Sequence, residues 1–220
     1  MNNHILVGGA SRGVGREIVK CLRQRNLPTI ALLRSPDTAE ELINLGASIA
    51  IADAMNFDQL ANAINQPIKA IITSIGGFPQ DGLRPDFLAN KNLIDLAIKL
   101  QVEKFILVTS IGTDESVVAL SPQALQTLSQ VLLEKEKAEK YLRDSGLTYT
   151  IIRPGGLKSE PATGRAILTE NYRISGMIHR ADVAQLACDC LMSDKANHKT
   201  LSAVDPNQLF NIDTFDVFQP

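Results

Sequence analysis

The chain has 220 residues, 45% of them hydrophobic and 21% charged, enough to bury a sizeable core as one compact domain with no disulfide or metal staple. Twenty-two Lys and Arg stand against 24 Asp and Glu, a net charge of −2 with the signs interspersed, which argues against a nucleic-acid footprint or a membrane-surface helix. The apolar runs are strand-sized, far short of the ~20 residues that span a bilayer. Cys21, Cys188 and Cys190 lack CxxC spacing, so neither a metal site nor a disulfide framework is expected.

No charged-then-apolar leader precedes the first strand, so no signal peptide and a reducing, cytoplasmic compartment are expected. A β-branched run at 4–7 is followed by a helical pattern at 13–25, and a second run at 29–33 by a helical pattern at 36–45. The rhythm continues with a strand at 48–52 and a helix at 57–64, then a strand at 68–74 and a helix at 87–100. A strand at 105–110, a helix at 123–145 and a strand at 147–153 close the series. Apolar strands alternating with helix-length segments predict an α/β, Rossmann-like doubly wound parallel sheet with helices on both faces. Beyond 153 the alternation breaks into a Gly/Pro-rich stretch at 155–165, a short strand at 166–169 and a helix at 181–192. The expectation is a single domain over 1–220, with a core at 1–153, a small cap at 154–205 and a loosely ordered tail at 206–220.

The first strand runs into Gly8-Gly9-Ala10-Ser11-Arg12-Gly13-Val14-Gly15, where a helix begins. Glycines at this position allow a tight turn, close approach of backbone N–H groups to a diphosphate, and helix-on-strand packing, while the helix N-terminus favours an anion. Gly9, Ser11, Arg12, Gly13, Val14 and Gly15 are therefore candidate cofactor contacts. GxxxxGK[ST] is absent, which argues against an ATP or GTP P-loop. The second strand ends in Arg34-Ser35, where an NAD site would place an acid. Arg34 and Arg12 together suit a 2′-phosphate, so NADP(H) is the expected cofactor. Ser35 either joins them or caps the next helix ahead of Pro36. Asp53 either accepts from the adenine amino group, with Ala54 against the ring, or caps the following helix. Ser74, Ile75 and Gly76, after the fourth strand, either take the nicotinamide ribose or form a plain loop.

Helical spacing gives one more candidate. Leu125, Leu128, Val131, Leu132, Ala138 and Leu142 form an apolar stripe, and Lys135 falls in its middle. A lysine there either meets ribose hydroxyls or snorkels along the helix edge.

The glycine loop, Arg34, Asp53, Val108-Thr109-Ser110 and the run from Lys135 through Ile151-Ile152-Arg153-Pro154-Gly155-Gly156 resemble the short-chain dehydrogenase/reductase family, in its atypical NmrA-like branch. The resemblance covers about residues 4–204 and is similar in layout to the branch's biliverdin and flavin reductases. It implies an NADPH-dependent oxidoreductase acting on a small-molecule acceptor such as a flavin or a linear tetrapyrrole like biliverdin. It makes Ser110 and Lys135 the catalytic candidates, the Ser110 hydroxyl either bonding a substrate carbonyl or the cofactor or being buried and self-satisfied, and it sets Pro154, Gly155 and Gly156 along the nicotinamide side. The Tyr-x-x-x-Lys pair of the larger family is missing, since Val131 stands four residues before Lys135. Solvent is then the expected proton source, with 76–85 and 155–180 as the acceptor shelf. A non-catalytic NADP(H)-binding redox sensor or scaffold is the alternative. Arg153 is expected either to line the site or to pair with Asp182 or another acid, and His179, near the cap, either touches substrate or takes no part in the site. No metal, nucleic-acid partner or membrane span is expected, and the chain is expected to be a monomer or small homo-oligomer.

Overall fold

A computed structural model of the chain describes residues 3–77, 82–211 and 214–220. In chain order its elements are β1 (His4–Gly8), α1 (Gly13–Gln24), β2 (Thr29–Leu33), α2 (Ala39–Asn44), β3 (Ser48–Ile51), α3 (Phe57–Ala63), β4 (Ile68–Thr73), α4 (Pro85–Leu100), β5 (Lys104–Val108), α5 (Pro122–Asp144) and β6 (Tyr149–Pro154). They continue with β7 (Gly156–Lys158), β8 (Ile167–Thr169), β9 (Met177–His179), α6 (Arg180–Met192) and β10 (Lys199–Val204). Eight strands form one sheet in the order β3-β2-β1-β4-β5-β6-β10-β8, parallel throughout except for β8 at the edge. Because strands β2 and β5 are covered on both faces, every one of their residues is buried, including Thr29 and Lys104. The strand order reverses between β1 and β4, the topological switch point at which such sheets open a crevice.

One core lies on each face. Leu42 and the inner stripes of α1 and α6 pack on one side, while Leu60 and the inner faces of α4 and α5 pack on the other. Helices α1 and α6 lie side by side and start together. Arg180 opens α6 beside Gly13, and towards the other ends of the two helices Cys188 meets Cys21 and an Arg25–Asp189 ion pair of 2.8 Å joins them. All three cysteines are buried and unbridged, in keeping with a packing role.

The expected division after residue 153 needs correcting. Residues 199–204 form β10, which pairs in parallel with β6 inside the main sheet, so the span 154–205 is not wholly a cap. Its Lys-Thr-Leu-Ser-Ala-Val alternates polar and apolar residues and lacks the continuous run that marks the other central strands. A separate two-stranded parallel sheet, β7 with β9, also went unpredicted, since three-residue strands carry little periodicity. The tail is tied down where it is described: Leu209 bridges to Gly176, and Phe218 donates its N–H to Leu168 at 2.7 Å and packs on the core.

Arg153, at the end of β6, is 1% exposed and pairs with Glu139 of α5, which is 0% exposed. Its Nη2 and Nε lie 2.7 and 3.1 Å from the Glu139 carboxylate, and its Nη1 lies 2.7 Å from Glu115. The Thr109 and Thr113 hydroxyls donate to the same Glu139 oxygen at 2.6 and 2.8 Å. Of the two alternatives left open for Arg153, the partner is therefore another acid; Asp182 accepts from the Thr163 and Gly164 N–H groups. Removing one partner of a buried, hydrogen-bonded pair strands the other charge. Glu139→Ala should therefore lower stability by about 3–5 kcal/mol in a urea-unfolding measurement.

Asp205, at the end of β10, is fully buried and accepts from Gln208, the Asn207 N–H and Arg165. Burial raises its carboxyl pKa, but these three donors outweigh that and hold it below the ordinary 3.8. A depressed folded pKa contributes stability above the unfolded value, and that stability is lost as pH falls through the folded one. On acidification below about pH 4, the urea midpoint of the wild type should fall more steeply than that of Asp205→Asn.

Candidate cofactor cleft

At the C-terminal ends of β1 to β6 the loops enclose a cleft of about 500 Å³. Its floor is the glycine loop. Gly9 and Gly13 have φ of 78° and 59°, the left-handed region that glycine enters freely. A Cβ on Gly15 would overlap the Gly9 carbonyl oxygen, so α1 starts as close to β1 as backbone permits. Arg12, at the N-cap, makes no side-chain cap bond, and no acid occupies the first turn of α1. The helix start is thus left for an anion. Arg16 fixes the loop from behind, donating to the Ser11 carbonyl at 2.6 Å.

Arg34 and Ser35, both exposed, stand at one end of the cleft, where β2 stops. The Ser35 hydroxyl donates to Asp37 at 2.8 Å and makes no cap bond to the short 3₁₀ turn Pro36–Thr38. Asp53 and Ala54 line the cleft beside them. One Asp53 oxygen accepts from the Met55 N–H at 2.9 Å, closing a local turn; the cap of α3 is Asn56, so Asp53 does not cap that helix. Arg12 lines the same cleft but leans away from β2: its guanidinium would lie 3.7 Å from a Cβ on Gly77, in the loop after β4. The expected pair of guanidiniums at the 2′-phosphate position is therefore reduced to Arg34 in this conformation.

At the other end, Ser74, Ile75 and Gly76 follow β4 and are held by α4. Asn90 donates to the Ile75 carbonyl at 3.0 Å, and Asp86 accepts from the Gly77 N–H at 3.3 Å. Lys135 reaches this point from α5, its Nζ 3.0 Å from Asp86 Oδ1. Asp86 is fully buried, and the ammonium is the only partner of that oxygen among the described residues. A Cβ on Gly76 would lie 2.6 Å from Asp86 Oδ1 and 2.9 Å from Lys135 Nζ, so only glycine admits the pair. Ser110 lines the cleft with its hydroxyl donating to the Ile111 carbonyl at 2.9 Å. Pro154 and Val14 also line it, but Gly15, Gly155 and Gly156 do not. Gly155 packs on the Gly176 carbonyl and Gly156 on Met177, so these two serve the junction with β9. His179 also turns away from the cleft, donating from Nδ1 to the Pro161 carbonyl at 2.6 Å. Of the expected acceptor shelf, residues 78–81 lie outside the described residues.

Sequence reasoning missed Asp86, and it included Leu157 and Arg180 in the expected acceptor shelf without singling either out. Asp86 follows Pro85 at a helix start and carries the ordinary signature of a first-turn acid, which hides its role. Among the described residues, the charged groups lining the cleft are Arg12, Arg34, Lys135 and Arg180 against the single carboxylate of Asp53. This excess of cations fits an anionic ligand. Valine stands at 131 on the α5 wall, and among the described residues no tyrosine, histidine or cysteine lines the cleft. The Tyr141 hydroxyl is instead committed to Asp95 at 2.7 Å. No helix among the described residues is long and apolar enough to cross a membrane, and none of their His, Cys, Asp and Glu side chains cluster to hold a metal.

Comparison with known proteins agrees with this geometry. Residues 9–194 match the family described as NAD(P)H-binding. The chain is 32% identical over 212 residues to the chloroplastic protein At2g34460 of Arabidopsis thaliana, covering 91% of this chain and 76% of that one. It is 31% identical over 179 residues to sanguinarine reductase of Eschscholzia californica, covering 78% of this chain but only 60% of that enzyme. Among solved structures, ChuY, an anaerobillin reductase from Escherichia coli O157:H7, superposes with a TM-score of 0.84 at 33% identity, covering 93% of this chain and 98% of that one. The chloroplastic relative overturns the expectation of a cytoplasmic compartment. Core composition and cysteine usage describe how a domain packs, and they do not carry its address.

Gly76→Ala should push Asp86 and Lys135 apart without touching the core. The expected result is an NAD(P)H dissociation constant raised about tenfold or more in a fluorescence titration, on the order of 1.4 kcal/mol, with an unchanged circular dichroism spectrum.

Proposed function

The chain belongs to the NAD(P)H-binding family, and from that premise we propose that it is an NADPH-dependent reductase that passes hydride to a flat, conjugated acceptor such as a flavin or a linear tetrapyrrole. The observation that carries the reading is the make-up of the Ser110–Lys135 end of the cleft. Its walls are Pro85, Leu128, Val131, Leu132 and Leu157, and its one titratable side chain at the surface is Lys135. Apolar walls suit a planar ring system. The lack of a tyrosine acid suits an acceptor whose reduced form takes its proton from water at a heteroatom. Sanguinarine reductase and the anaerobillin reductase ChuY, by their names, act on acceptors of this kind, which supports the same class here.

The residues present fit the cofactor. The bare start of α1 suits the diphosphate, and the Gly15–Gly9 contact brings the backbone near enough to hold it. Arg34 at the end of β2, where an NAD site would carry an acid, supports NADP(H) over NAD(H). When bound, the reduced nicotinamide supplies the hydride. The chain's part is to bind, orient and exclude water. Lys135, steadied by Asp86, donates toward ribose hydroxyls, Ser110 offers a hydroxyl at the reacting end, and the apolar wall holds the acceptor flat at reacting distance. Catalysis then rests on proximity, with little demand for acid–base help.

Purified protein mixed with NADPH and FMN should consume NADPH, read at the nicotinamide absorbance, faster than the mixture without protein. Tight binding with no turnover on flavin or tetrapyrrole acceptors would favour a sensor or scaffold, the reading to which the missing tyrosine also points. Arg34→Ala should weaken NADPH by about 10–100-fold, the range of a lost charge-assisted bond, and NADH by much less. Arg12→Ala should discriminate less between the two. Equal losses of both cofactors on removing Arg34 would contradict the assignment.

A further inference from the structure

We propose that Arg180, which opens α6, is a binding residue for the cofactor's diphosphate, reaching it from beside the glycine loop. This inference rests on the NADPH reading above and adds a residue to it.

Three observations place Arg180 there. First, its side chain lines the cleft and crosses the start of α1, with Nε at 3.6 Å and Cδ at 3.9 Å from where a Cβ on Gly13 would sit. Any residue larger than glycine at 13 would enter the space between the guanidinium and the first turn of α1. Second, the guanidinium is held in place. Nη1 donates to the Leu157 carbonyl at 3.2 Å and to Ser159 Oγ at 2.9 Å. Leu157 belongs to β7 and Arg180 directly follows β9; these strands pair in parallel with Lys158 opposite His179, so donor and acceptors sit on one small, rigid ledge. Third, Arg180 forms no ion pair among the described residues, although it is half-buried. The buried Arg153 and the half-exposed Arg165 both have carboxylate partners.

An arginine held by neutral acceptors keeps its full charge for a ligand, and its planar fork matches phosphate oxygens. The pairing of α1 with α6 strengthens the case. Because the two helices start together, the positive ends of both dipoles and the guanidinium converge on one spot. Within this cleft, that spot is where the α1 amides would meet a diphosphate. Arg34 marks the adenosine end of the cleft and Lys135 the opposite one, with Arg180 over the glycine loop between them. The two arginines therefore divide the cofactor's charge: Arg34 reads the 2′-phosphate, and Arg180 holds the part common to NADPH and NADH.

That division is testable by binding alone. Arg180→Gln and Arg180→Lys, each checked for an unchanged circular dichroism spectrum, are titrated with NADPH and with NADH. In Arg180→Gln, both dissociation constants should rise about tenfold or more with their ratio unchanged, and Arg180→Lys should fall between it and the wild type. The same variants are assayed at saturating NADPH with FMN and with riboflavin, which differ by one phosphate. A rise in KM for FMN alone, with cofactor binding intact, would assign Arg180 to an anionic acceptor and overturn the proposal. Cofactor binding within about twofold of wild type in both variants would also overturn it. If the wild type itself binds neither nucleotide, the underlying cofactor reading fails instead, an outcome separate from either of these.

Discussion

The start of α1 presses against the end of β1, and the arrangement of the cleft follows from that contact. Gly15 has no room for a Cβ beside the Gly9 carbonyl, so the first turn of the helix sits against the strand edge and its N–H groups open toward the switch point between β1 and β4. No N-cap side chain and no first-turn acid occupies that opening. A helix end left in this state favours an anion through both hydrogen bonding and its dipole. The cationic side chains are then arranged along the same cleft, supplied by β2, α5 and α6.

A second device fixes the far end. Lys135 sits on the inward face of α5, and two buried carboxylates control its position. Asp86 takes the ammonium directly. Glu139, one helical turn on, locks α5 to Arg153 of β6 and to Thr109 after β5. Burying Glu139 and Arg153 is costly unless every donor and acceptor is met, and here they are met by two hydroxyls and a second carboxylate. The network holds α5, and with it Lys135 and Val131, in a defined place beside the ends of β5 and β6.

Much of this was legible in the sequence because it rests on local signals. Continuous β-branched runs locate the six strands from β1 to β6, and the glycine loop and Arg34 carry their meaning through their positions at strand ends. What escaped depends on contacts far apart in the chain. β10 alternates polar and apolar residues and joins the sheet only by pairing with β6. Asp86 and Arg180 both open helices, where charged residues are commonplace, and only the packing of α4 against α5 and of α6 against α1 turns them toward the cleft. Glu139 falls within the charged run from Lys135 to Lys140, which reads as a solvated face until β6 brings Arg153 against it. The compartment was misjudged for a different reason: nothing in a packed domain records it.

The account turns on a single affinity. Calorimetric titration of the intact protein with NADPH should give one site per chain with a dissociation constant in the micromolar range or tighter, about −8 kcal/mol, and substitution of Gly15 by alanine should abolish that heat. Absence of binding by the wild type at millimolar NADPH, or full binding by the Gly15 variant, would contradict it.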